Sequence, residues 1–144
     1  MTHEDKRHYA KKHPPGRNMN PQIAEAVKQK AKEGKISCAV AFEIVEELHI
    51  PPDEVGFTLD SLEIKISKCQ LGIFGYSHNK SPVKPLDSVS GELKKTIEDA
   101  LEGSRLPCIA AWEIAKRLGI GKMDVTAACE NLKIKISSCQ LGGF

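Results

Sequence analysis

The sequence predicts a mainly helical protein with short strands: two tandem three-helix units, each closed by a short strand. Three observations carry this expectation. Residues 38–74 recur at 108–144 of the 144-residue chain with an offset of 70 and no gap, and 17 of the 37 aligned positions are identical. Apolar residues fall at helical spacing three times in each copy. Each copy then ends in an alternating Ile-Lys-Ile-Ser that reads as a strand. A repeat must be explained by the same local physics in both copies, and units of roughly 55 residues lie near the lower limit for independent folding.

The expected organisation is a basic flexible arm over 1–20, a first unit over 21–75, a linker over 76–90 and a second unit over 91–144. The arm ends where Asn20 and Pro21 read as an N-cap followed by a first-turn proline, which starts a helix. Ile23, Val27 and Ala31 share one face of it, as Leu93, Ile97 and Leu101 do in the second copy. Gly34 and Gly103 are expected to stop these helices.

After a short extended piece, a second helix carries Ala41, Phe42, Ile44, Val45 and Leu48, matched by Ala111, Trp112, Ile114, Ala115 and Leu118. A tight turn follows, with Pro51-Pro52 in one copy and Gly121 in the other. The third helix turns Val55, Leu59 and Leu62 inward, matched by Val125, Cys129 and Leu132. The closing strand has two partners open to it: the extended piece before helix two, or its own twin in the other copy. The linker, with Pro82 and Pro85 and no periodicity, is an extended connector.

Ala111, Ile114, Leu118, Gly119, Ile120 and Val125 fit the spacing of a helix-turn-helix, in which a small residue sits at a helix crossing and a glycine permits the turn. With a helix before and a strand after, each copy resembles the winged-helix branch of that superfamily over residues 23–67 and 93–137. The first copy departs from the pattern at the turn, where His49 replaces the glycine. The resemblance implies a DNA-binding transcriptional regulator that presents its third helix to the major groove. The residues it nominates are Lys122, Thr126, Asn131 and Lys133 in the second unit, joined by Lys6, Arg7, Lys11, Lys12 and Arg17 of the arm. Too few residues follow the last helix for a long basic wing.

The overall charge of +2 conceals an asymmetry. Residues 1–35 hold nine Lys/Arg against four Asp/Glu, residues 36–75 two against seven, and residues 106–144 five against three. The third helix of the first copy offers Asp53, Glu54 and Asp60 and no cation. Carboxylates there repel phosphate, so the alternative expectation is a protein-interaction or assembly module that docks a basic partner through the acidic first unit.

Cys-Gln-Leu-Gly, a variable residue and Phe close both copies. A strand that turns Ile64 and Ile66 inward points Cys69 and Leu71 outward, unless it breaks near Lys68. If it breaks, Cys69 and Leu71 turn inward and Gly72 lets Phe74 pack as a lid. Cys38, Cys69, Cys108 and Cys139 form two equally spaced pairs, read first as core residues. They stand second as a four-thiolate metal or iron-sulfur site and third as a redox pair, which would make a thiol-based sensor. Cys129 replaces Leu59 and belongs to the core. No cofactor is expected.

The sequence has no glycine-rich phosphate loop, nucleophile elbow or His-Glu-x-x-His motif, so no enzyme is expected. It has no long apolar run and no apolar leader, which together point to the cytoplasm.

Overall fold

A computed structural model describes residues 18–76 and 81–143. The fold is mainly helical with short strands, and it divides into two compact units. The first comprises residues 18–68 together with 140–143, and the second comprises residues 69–139.

In the first unit, α1 (Pro21–Lys30) begins as its sequence dictates: the side chain of Asn20 accepts the N–H of Gln22 at 2.8 Å, and Pro21 takes the first helical position. The helix ends at Lys30, before Gly34. Glu33 and Gly34, at φ 53° and 74°, instead reverse the chain, so that Lys32 and Lys35 exchange backbone hydrogen bonds of 2.8 and 3.0 Å. Gly103 is likewise part of a reversal, between Glu102 and Arg105, and not the helix stop expected of it.

The reversal feeds β1 (Lys35–Ser37) and then α2 (Cys38–Leu48), where the Ser37 hydroxyl accepts the N–H of Val40. The helix closes on His49 at φ 52°, where the second unit has Gly119 at φ 67°. A side chain in this left-handed conformation costs roughly 1–2 kcal/mol, which the first unit tolerates and the glycine avoids. Then α3 (Pro52–Ser61) returns the chain to β2 (Lys65–Ser67), which pairs with β1 in parallel, Lys35 opposite Lys65 and Ser37 opposite Ser67. The closing strand thus takes the extended piece before helix two as its partner.

The second unit repeats this order with α4 (Gly91–Asp99), β3 (Arg105–Pro107), α5 (Cys108–Leu118), α6 (Lys122–Leu132) and β4 (Lys135–Ser137). Strands β3 and β4 are parallel, with Arg105 opposite Lys135. Ser90 caps α4 through the N–H of Leu93, and Asp124 accepts the N–H of Gly121 at the start of α6. Leu93, Ile97, Leu106, Ile114 and Val125 form the centre of its core.

The third helices are enclosed far beyond an amphipathic stripe. Val55 to Asp60 are all buried in α3, and Val125 to Cys129 are all buried in α6. Part of the covering comes from the closing segments. Lys68 and Ser138 adopt φ 47° and 55°, which breaks each strand's alternation and turns the chain away from its own sheet. Cys69 and Leu71 therefore point inward, Leu71 being 0% exposed, and Gly72 at φ 77° bends the chain so that Phe74 packs on the core. The bend is held by the N–H of Gly72 on the Cys69 carbonyl at 2.8 Å and by the N–H of Cys69 on the Phe74 carbonyl at 3.1 Å.

These closures are exchanged. The Cys-Gln-Leu-Gly segment beginning at Cys69 belongs to the second unit, whereas Gln140, Leu141 and Gly142 belong to the first. As packed, the two compact units meet at residues 68/69 and again at 139/140, whereas the sequence reading places the end of the first unit at residue 75. Gly56 shows how tightly the returning segment sits on α3: a Cβ there would overlap the carbonyl oxygen of Leu141.

Candidate functional site

The residues nominated on α6 are largely absorbed by the second unit's own packing. Lys122 is half-buried, with its Nζ donating to Gln70 Oε1 at 3.2 Å and standing 4.4 Å from the Trp112 ring centroid. A cation over an indole contributes about 0.5–2 kcal/mol, so this ammonium already has a structural role. Thr126 is 4% exposed, and its hydroxyl donates to the Lys122 carbonyl one turn back. Asn131 is exposed but its Nδ2 donates to the Leu86 carbonyl at 2.7 Å, while the N–H of Leu86 donates to the Ala127 carbonyl at 3.1 Å.

The linker is therefore laid along α6, and Leu86 and Val89 pack on the core beneath it. Only Lys133, at φ 58° just past α6, is exposed without an ion pair or side-chain hydrogen bond among the described residues nominated for nucleic acid. Lys6, Arg7, Lys11, Lys12 and Arg17 lie outside the described residues.

In the first unit Asp53 is exposed and Glu54 half-buried, both in the first turn of α3, where carboxylates interact favourably with the helix dipole. Asp60 is 9% exposed, too enclosed to meet a partner, which corrects its nomination. More carboxylates come from α2, where Glu43, Glu46 and Glu47 are exposed. Lys30 stands 3.7 Å from Glu43 and 3.5 Å from Glu47, leaving Glu46 outside that network. Their spacing of three and four residues from Glu43 puts the three glutamates on one face of the helix.

The thiols are core residues. Cys38, Cys69, Cys108 and Cys129 are buried and Cys139 is half-buried, and none of the five is in a disulfide. Cys69 lies in the same core cluster as Cys108, not in the unit of Cys38 with which its spacing had paired it. Among the described residues no group of three or more His, Cys, Asp or Glu side chains is placed to hold a metal, so the four cysteines are not gathered into a tetrathiolate site.

Burial, reinforced by Glu130, pushes the Cys129 thiol up to about 11. Because the folded value is raised, this thiol contributes stability that is fully present below the ordinary thiol range and is lost as pH climbs towards 11. Thiol labelling at pH 8 is expected to modify Cys139 first and Cys129 only at the rate of opening of the second unit. Rapid labelling of Cys129 in the folded protein would contradict its burial.

No family model matches the sequence, and no curated protein or solved structure matches it either. Among the described residues no helix is long and apolar enough to cross a membrane.

Proposed function

We propose that this protein is a non-enzymatic interaction or assembly module built on tandem helix-turn-helix units, and that its acidic first unit docks a basic protein surface. The observation that carries this reading is the enclosure of both third helices. A helix that reads bases must offer side chains outward, whereas Thr126 is buried and Asn131 is spent on the linker. Helices α2 and α3 of the first unit offer carboxylates outward: Glu43, Glu46 and Glu47 on α2 and Asp53 on α3. Such a surface gives its partner specificity and on-rate through complementary charge.

The reading as a DNA-binding regulator through α6 loses two of its four residues on that helix and the turn after it. Of the four thiols of the sensor reading, Cys38, Cys69 and Cys108 are buried and Cys139 alone is half-buried, which leaves that reading little to draw on. Affinity capture with the full chain tests the interaction reading. Glu46→Lys combined with Asp53→Lys is expected to release the captured protein, while Lys94→Glu with Lys95→Glu on α4 retains it. A partner held equally by the acidic-face variant and the wild type would remove the reading.

A further inference from the structure

Each unit carries a pair of cations that the fold forces together. In β1 and β2, Lys35 stands opposite Lys65; in β3 and β4, Arg105 stands opposite Lys135. All four side chains are exposed. Paired strands lie about 4.7–4.9 Å apart, and residues in register on one face are immediate neighbours. Like charges directly opposite one another destabilise a sheet. Among the described residues none of the four side chains has an ion-pair partner to relieve this.

The chain nevertheless keeps the arrangement in both copies, with Lys35 exchanged for Arg105 and the charge intact. Several other exposed charges were not kept, although Glu43 is retained as Glu113. Lys32 becomes Glu102, Glu46 and Glu47 become Lys116 and Arg117, Glu63 becomes Lys133 and Lys68 becomes Ser138. A repulsive pair that survives in both copies while Lys32 and Glu63 beside it reverse sign is accounted for by an external anion that bridges it.

We propose that the Lys35–Lys65 and Arg105–Lys135 pairs are docking points for the phosphodiester backbone of duplex DNA. Both pairs sit at the starts of hydrogen-bonded strands, so their spacing is fixed by backbone, which suits a stiff and regular line of phosphates. The contact is sequence-independent, because side chains aimed at phosphates carry no base information. The Arg105–Lys135 pair is the stronger of the two: Lys133 is two residues from Lys135, where the first copy has Glu63. This inference goes beyond the interaction reading and does not depend on it, since it uses none of the acidic residues.

The test is fluorescence anisotropy of the full chain with a random-sequence duplex from 20 to 300 mM salt. Arg105→Gln with Lys135→Gln is expected to lower affinity and to reduce the log–log salt slope by about 0.9, the release expected for the one phosphate that the pair bridges. Lys35→Gln with Lys65→Gln is expected to act in the same direction with a smaller loss of affinity, and Lys94→Gln with Lys95→Gln, removing two exposed cations on α4, is expected to change little. An equal loss in the α4 control would mean diffuse attraction and overturn the proposal, as would binding unchanged in both pair variants or no binding by the wild type at 20 mM salt. Size-exclusion chromatography covers the remaining outcome. If the pair variants self-associate while DNA binding is intact, the cations merely guard the strand edges, and the proposal fails.

Discussion

Replacing Leu71 by Ala is expected to destabilise the second unit by about 2–5 kcal/mol, although Leu71 belongs by sequence to the first repeat. Its side chain is 0% exposed and lies in one cluster with Leu93, Ile97, Leu106 and Val125. The lost methyl groups leave a cavity among residues fixed on three helices and a strand, so relaxation recovers little of the cost. Hydrogen exchange provides the decisive readout. Amides of α4, α5 and α6 should lose protection before those of α1 and α2, and the opposite order would contradict the exchanged closure. Leu141→Ala is the mirror experiment, with the loss falling on α1 to α3.

Replacing Gly56 by Ala is expected to lower stability by about 1–3 kcal/mol, through overpacking against Leu141. The sign is informative because helix propensity predicts the reverse, a gain of about 1 kcal/mol for alanine over glycine inside a helix. The clash is with a backbone oxygen, which cannot rotate aside, so the segment over residues 140–143 must lift from α3. A lower melting temperature with faster exchange at residues 140–143 is the expected pair of results; a stabilised variant would mean that the segment does not rest on α3. In the second unit the aligned position is Thr126, which already carries a side chain there. The two closures therefore cannot seat on their helices in identical ways.

Much of the scaffold was legible in residue order because it is local. Asn20-Pro21 marks a helix start by capping chemistry, and the alignment of Val55 with Val125 marks a core face by period. The burial of Cys69 and Leu71 was legible only as a condition, since it hinged on whether the strand broke at Lys68. That break is a left-handed backbone at a lysine, a conformation that this residue type does not announce. The ownership of the closures was not legible at all. Both copies carry the same Cys-Gln-Leu-Gly, so either segment suits either helical body equally well in sequence terms.

The candidate surfaces divide in the same way. Asp53 was found from composition, because an exposed first-turn carboxylate needs only a helix start to be recognised. Thr126 and Asn131 were nominated by analogy of position, and the contacts that absorb them come from residues remote in sequence, Asn131 reaching back to Leu86. The strand cations were in plain view as Lys35, Lys65, Arg105 and Lys135. Only the parallel register turns four separate residues into two pairs.

The exchanged closures also order events in time on the ribosome. The helices and strands of the first unit leave the exit tunnel early, yet Leu141, which rests over Gly56, follows the whole of the second body in the chain. The early body must wait, partly uncovered, until synthesis has passed the whole of the second body. Until then the flank of α3 that Leu141 covers stays exposed, the kind of transient surface that invites chaperones.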